Sequence, residues 1–260
     1  MIPDFIIIVP YRDREIDKHI YLNYMKYILE DESNYEMFFI QQDNELPFNR
    51  GAIKNLGFLT IKQNYPDDYK NITIVFQDVD TIPYKKNMFT FTTPKGTVKH
   101  FYGFDFALGG IFSICAGDFE NIHGFPNYWS WGFEDTTMNK RCINNHIPID
   151  RTTFYPANSK EFIQISVLSQ PNINLKNAEK TARNMGDSLH DVIDIVVNKT
   201  EVNEQPIKHT IYYIDFNTTN NYNKASETPT NMTARKFIFD RTNQINVPSR
   251  KKLFTSISSK

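Results

Sequence analysis

Both tryptophans of the chain, Trp129 and Trp131, stand just ahead of an adjacent pair of acids, Glu134 and Asp135. They fall in a stretch, residues 123–137, that reads H-G-F-P-N-Y-W-S-W-G-F-E-D-T-T. Those residue types suit a sugar. The apolar C–H patches of a pyranose stack on indole, its hydroxyls bind carboxylates, and one well-placed carboxylate can take a hydroxyl proton. The plain alternative is structural: Gly-Phe-Pro-Asn is a turn, and the two acids open a helix over about 134–144, where negative charge favours the N-terminal end of the dipole.

A second acidic group, Asp78-Val79-Asp80, leaves a predicted strand over residues 72–77. Alternation along an extended chain points its two carboxylates the same way, which makes a seat for a hard divalent cation bridging a diphosphate, or else an Asx turn closing the strand. Arg12, Arg14 and Arg50 follow other predicted elements. Guanidinium is the natural partner of phosphate, although each arginine taken alone reads equally as a surface residue. Gly109-Gly110 marks a place where backbone can come close to a ligand.

The elements that must carry these groups alternate. Residues 5–9, F-I-I-I-V, form a continuous apolar run of the kind buried on both faces inside a parallel sheet. A helix is expected over about 14–29, a strand over 35–41 and a helix over 52–63, and the strand over 72–77 then completes two right-handed βαβ crossovers. Residues 99–106 read as extended, 111–115 as strand and 118–122 as a short helix. Further strands are expected at 152–155 and 163–168. Alternating patterns at 192–197 and 207–216 close the ordered part. In open sheets of this kind ligands bind at the carboxyl ends of the strands, where Arg12, Asp78 and Asp80 would sit.

At 260 residues, with 21 Phe and 14 Tyr, the chain can bury one sizeable α/β core. The formal net charge of −1 gives no reason to expect nucleic acid or an anionic membrane as partner. Charge is uneven, however: residues 221–260 hold eight Lys/Arg against two acids and are rich in Asn, Ser and Thr, with only 236–239, K-F-I-F, offering apolar surface. Division into a domain at 1–220 and a basic tail at 221–260 follows, the tail either solvated or docking an acidic partner. Two cysteines, Cys115 and Cys142, are too few for a disulfide framework and read as core thiols. Neither a signal-like start nor a membrane-length apolar run is visible, so a cytoplasmic protein is expected; sequons at Asn71, Asn198, Asn217 and Asn231 point weakly the other way.

Taken together, the motifs resemble those of the β-1,4-galactosyltransferase family, glycosyltransferase family 7. V-P-Y-R-D-R at 9–14 is similar to the family's nucleotide-binding P-F-R-x-R, F-N-R-G-A-I-K-N-L-G-F at 48–58 to F-N-R-x-x-L-x-N-x-G-F, and Q-D-V-D at 77–80 to its metal-binding D-V-D. G-F-P-N-Y-W-S-W-G-F-E-D at 124–135 resembles G-F-P-N-x-x-W-G-W-G-G-E-D-D, and M-G-D-S-L at 185–189 resembles D-G-L-N-S-L. The resemblance implies a single GT-A (Rossmann-like) nucleotide-sugar transferase domain of class α/β with a mixed, mostly parallel central sheet. It implies transfer of a hexose or N-acetylhexosamine from a UDP-sugar to a glycan hydroxyl, with inversion and with Mn²⁺ as cofactor. By position, Pro10, Arg12, Arg14, Phe48, Arg50, Asp78, Val79, Gly110 and Trp131 would line the nucleotide-sugar site. Asp80 would hold the metal, Glu134 would orient the acceptor, and Asp135 would be the general base.

The chain departs from the family pattern at four places. A third acid after Glu-Asp is Thr136, the family's Met and His metal ligands fall at Phe162 and Ile165, and its aromatic residue before Gly-Gly falls at Ala107. Without that aromatic, a donor with a 2-acetamido group becomes acceptable. Asp80 would be left as the one carried ligand, with His190 a candidate to complete it. Three readings follow: an active inverting transferase, a catalytically silent GT-A module that binds a glycan or protein, and a nucleotidyltransferase or sugar-nucleotide hydrolase. Retention of both Trp, of Glu134-Asp135 and of both acids of the D-V-D favours the first. A soluble enzyme of this kind would suit a microbe or a large virus.

Overall fold

The computed structural model describes residues 1–165, 176–182, 188–203 and 207–219. The basic stretch 221–260, its apolar 236–239, the sequon at Asn231, residues 166–168 of the expected strand and 185–187 of the last motif lie outside the described residues. In chain order the elements are β1 (Phe5–Tyr11), α1 (Glu15–Ile28), β2 (Tyr35–Gln42), α2 (Arg50–Asn64), β3 (Thr73–Gln77), β4 (Thr81–Pro83), β5 (Val98–Gly103) and β6 (Ile111–Cys115). They continue with α3 (Ala116–Asn121), α4 (Glu134–Asn144), β7 (Ile149–Asp150), β8 (Tyr155–Pro156), β9 (Phe162–Gln164), α5 (Lys176–Ala182), β10 (Val192–Val202) and β11 (His209–Thr218).

The apolar run at the N-terminus does become the middle of a sheet. Every residue of β1 is buried, and it pairs in parallel with β2 on one side and β3 on the other. Alternation splits its side chains between two cores: Ile6 and Ile8 pack with α2, while Phe5, Ile7 and Val9 pack with Tyr21, Leu22 and Met25 of α1. Ile6, Ile7 and Ile8 are fully excluded from water, each contributing roughly 1.5–3 kcal/mol. The main sheet runs β10-β11-β2-β1-β3-β6-β5-β7, with β8 also on β5. It is mixed and mostly parallel: β11 joins β2 in parallel, and β7 and β8 join β5 in parallel, whereas β6 runs antiparallel to β3 and β5, and β10 to β11.

Several expectations need correction. α2 begins at Arg50, two residues early, because the Asn49 side chain accepts a hydrogen bond from the Ala52 N–H at 3.0 Å and caps the first turn. The strand expected at 152–155 is reduced to Tyr155–Pro156, and β9 leaves the main sheet to pair with β4. β10 is longer than expected and exposed over almost its whole length as the sheet edge, with only its end residues Val192 and Val202 packed against the cores among the described residues. Cys115 and Cys142 are free and buried, as expected of core thiols. Among the described residues no helix is long and apolar enough to cross a membrane.

Candidate active site

β1 and β3 run side by side in the same direction; from β1 the chain goes on to β2 on one flank of the pair, and from β3 to β5 and β6 on the other flank. The crevice at their carboxyl ends therefore receives Arg12 and Arg14 after β1 and Asp78 to Asp80 after β3. Gly110 comes from the start of antiparallel β6, where its carbonyl accepts from the Asp78 N–H at 3.2 Å. Arg50 enters from the first turn of α2, which packs across β1 and β2.

Arg50 joins the two acidic motifs. Its Nη2 donates to both carboxylate oxygens of Asp78, at 2.6 and 2.8 Å, and its Nη1 donates to Glu134 Oε1 at 2.8 Å and to Asp135 Oδ2 at 2.6 Å. One planar cation thus fixes three carboxylates from segments more than fifty residues apart. Burial opposes the charge on Arg50, but Asp135, Asp78 and Glu134 outweigh it and hold the guanidinium protonated. Glu134, with its side chain 5% exposed, goes the other way: burial and then the neighbouring Asp135 raise it above the usual carboxylate range.

Asp135 carries a second cation that the motifs did not reveal. Lys54 lies one helical turn beyond Arg50 on the same face of α2, is 1% exposed, and donates from Nζ to Asp135 Oδ1 at 2.9 Å. Its ammonium lies 4.4 Å from the centre of the Phe125 ring. Burial alone would raise Asp135; Arg50 and Lys54 more than reverse this and hold it below the usual range. The carboxylate is also boxed by backbone. Leu108 N–H donates to the Asp135 carbonyl at 3.0 Å, and a Cβ on Gly109 would stand 2.4 Å from Asp135 Oδ2. His100 holds Gly109 from behind: its Nε2 donates to the carbonyls of Tyr102 and Gly109 while Nδ1 accepts from Arg151 Nε at 3.1 Å. Burial and Arg151 lower His100 to about 4. The turn into α4 is strained, with Ser130, Gly132 and Phe133 at φ 66°, 118° and 74°, a backbone that aims Glu134 and Asp135 at Arg50.

Asp80 sits apart from this set. Its Oδ2 accepts from Arg14 Nη1 at 3.0 Å, and Arg14 Nε also bonds Asp17 at 2.6 Å. Burial and the like charge of Asp78 raise Asp80 against the pull of Arg14. β9 runs alongside, with Phe162 opposite Pro83 and the Ile165 N–H donating to the Asp80 carbonyl at 2.9 Å. Phe162 is turned into the core against Tyr102, with ring centres 4.2 Å apart. No group of three or more His, Cys, Asp or Glu side chains is arranged to hold a metal among the described residues. His190 lies elsewhere, with its ring 6.2 Å from that of His123. The donor set nevertheless fits a hard cation that takes one or two carboxylates and completes its shell with substrate phosphate and water, because Asp78 and Asp80 crowd each other's charge.

The remaining sequence candidates divide. Arg12 lies at the crevice, stacking on the Phe48 ring at 5.3 Å and donating to the Leu46 carbonyl at 2.6 Å. Pro10 is buried within β1, and Val79 points into the core at 2% exposure, so both offer only backbone. Gly110 adopts φ 70°, and a Cβ there would meet the Tyr102 carbonyl oxygen at 2.5 Å. Trp131 is half-buried. Trp129 is a correction: it stacks on Phe216 at 5.6 Å and donates to Thr218 Oγ1 at 3.0 Å, tying the loop to β11 instead of facing a ligand. Lys54 and His100 were missed; the only sequence trace of Lys54 was a second basic residue four positions after Arg50.

Comparison with known proteins bears out the family resemblance read from the motifs. Residues 3–92 match the N-terminal region of glycosyl transferase group 7, and residues 97–164 match the N-terminal domain of galactosyltransferase. Beta-1,4-galactosyltransferase 1 of Mus musculus is 33% identical over 155 residues, and that of Homo sapiens 32%; each match covers 56% of this chain but only 38% of the relative's length. Xylosylprotein 4-beta-galactosyltransferase of Caenorhabditis elegans is 27% identical over 157 residues, 56% of this chain and 53% of its own. The catalytic domain of a Drosophila β1,4-galactosyltransferase 7, solved with xylobiose, superposes with a TM-score of 0.68 at 24% identity, covering 83% of this chain and 95% of that one. A mutant of the same enzyme was solved with manganese, UDP-Gal and xylobiose.

Proposed function

The chain belongs to glycosyltransferase family 7 and carries its GT-A fold, and from that premise we propose that it transfers a galactose-type sugar, hexose or N-acetylhexosamine, from a UDP-sugar to a carbohydrate hydroxyl with inversion. The observation that carries the proposal is the Arg50 hub, which brings Asp78, Glu134 and Asp135 together at the carboxyl ends of the strands. In this reading the uridine diphosphate lies along the β1 and β3 ends. Arg12 and Arg14 meet its charge, and Arg14 brings a buried Nη2 that has no hydrogen-bond partner among the described residues. Asp80, together with the donor's own phosphate oxygens, would hold a divalent cation, which when bound neutralises charge on the leaving diphosphate.

Asp135 takes the proton of the acceptor hydroxyl as its oxygen attacks the anomeric carbon, and the C–O bond to UDP breaks with its electron pair going to the diphosphate. A carboxylate held below the ordinary range is a weak base. Much of the acceleration then comes from placement: Gly109 and Arg50 fix Asp135, Glu134 orients the acceptor, and half-buried Trp131 offers a face for sugar. The missing bulk at Ala107, which is buried beside the Gly109-Gly110 approach, leaves room for a 2-acetamido group on the donor.

The test is transfer from UDP-galactose and UDP-N-acetylgalactosamine to xylobiose and to N-acetylglucosamine, with UDP binding followed by calorimetry. Asp135→Asn is expected to keep UDP affinity within about threefold and to lower turnover by roughly 10²–10⁴. Transfer at the wild-type rate in that variant would remove Asp135 as the base, and absence of any UDP binding by the wild type would overturn the enzyme reading.

A further inference from the structure

Lys54 is a fully buried lysine at a position that the 48–58 motif leaves open. Its Nζ is 2.9 Å from Asp135 Oδ1, its ammonium lies over Phe125, and the rings of Phe76 and Phe112 stand 5.9 Å away. A lysine in an apolar wall is costly unless its charge is met, and the carboxylate that meets it here is the one proposed to accept the acceptor's proton. Arg50 holds the other oxygen at 2.6 Å but shares its one charge with Asp78 and Glu134, so Lys54 is the cation that Asp135 has to itself, and the two cations grip Asp135 from both oxygens.

We infer that Lys54 is a positioning residue that fixes the rotamer of Asp135 and keeps it ionised within a buried site. The inference deepens the reading of Asp135 as base and rests on it for its catalytic meaning. The groups facing Asp135 are Arg50 and Lys54 from α2, Glu134 from α4, Asp78 from the end of β3, and His100 from β5. His100, lowered to about 4 by burial, is neutral above that pH. Burial and the adjacent Glu134 push the Asp135 proton affinity up, and Arg50 and Lys54 pull it down. Removing Lys54 alone leaves one cation against two neighbouring acids. The Asp135 midpoint should then rise by about one pH unit or more, since a close opposite charge is worth one to three units.

The experiment is a ¹³C NMR titration of aspartate carboxyls in the full chain without ligand, with the Asp135→Asn spectrum assigning the resonance. Lys54→Met and Lys54→Gln are expected to raise the Asp135 midpoint by about one unit, and Lys54→Arg to restore it. A midpoint that stays at the wild-type value in folded Lys54→Met or Lys54→Gln overturns the inference. Should the neutral variants not fold, the unsubstituted protein decides: the Lys54 Nζ resonance shifts at the Asp135 midpoint and loses that shift in Asp135→Asn, and a resonance indifferent to Asp135 overturns it equally. The outcome is independent of turnover. If Asp135→Asn still transfers sugar, the base reading fails while the titration continues to report whether Lys54 controls that carboxyl.

Discussion

Around Arg50 the acids are met by the protein's own buried cations, whereas around Asp80 the proposed reading leaves the balance to a ligand. Three carboxylates, Asp78, Glu134 and Asp135, meet two buried cations, Arg50 and Lys54, and backbone from Leu108 and Gly109 closes the set. Among the described residues the Asp80 carboxylate is met by partly exposed Arg14, which it shares with Asp17, and by the Thr81 hydroxyl, while the neighbouring strand offers Phe162 and Ile165. The difference teaches where rigidity is needed. A base must be held to a fraction of an ångström before substrate arrives, while a cation bridged by the donor's phosphates can be completed by the donor itself.

The comparison breaks most completely at its hub. Arg50→Met leaves Glu134 and Asp135 buried against Asp78 with only Lys54 to answer them. A loss of about 3–5 kcal/mol is expected, because removing one partner of a buried pair strands the others. Urea denaturation measures it, and a loss under 1 kcal/mol would mean that the three acids are solvated after all.

A smaller effect sharpens the same side through pH. His100 is lowered to about 4 in the folded protein, against about 6.5 in an unfolded chain. Between those values the unfolded chain binds a proton that the folded chain refuses, so stability falls as the pH drops from about 6.5 to about 4. The loss is on the order of 2–3 kcal/mol. His100→Gln should flatten that part of the stability curve; an unchanged slope would assign the loss to other groups.

The mildest effect belongs to the half-built side. Asp80→Asn should abolish any gain in UDP affinity from Mn²⁺, a change of about tenfold or less, and leave metal-free UDP binding nearly as it was. Equal Mn²⁺ enhancement in both proteins would place the cation elsewhere.

How much of this was legible depended on whether a residue's role is local. The strand in residues 5–9 and the helix opening at Glu134 were readable, because an unbroken apolar run and a run of acids ahead of Met138 and Cys142 state their own environment. Arg50, Asp78 and the Glu134-Asp135 pair could be picked out by type. Lys54 could not, since a lysine in a helix is ordinarily solvated, and it is tertiary packing against Phe76, Phe112 and Phe125 that seals it from water. Trp129 and Trp131 differ by two positions and cannot be told apart by composition. Tertiary packing sends the first to Phe216 and leaves the second half-buried.

The chain alone determined its alternation of elements, its two acidic motifs and the family they resemble, because periodicity and residue chemistry are properties of short stretches. Tertiary structure decided which charges meet. A single guanidinium at Arg50 reaches residues 28, 84 and 85 positions away, and burial, which no short stretch encodes, then turns those meetings into raised, lowered and fixed protonation states.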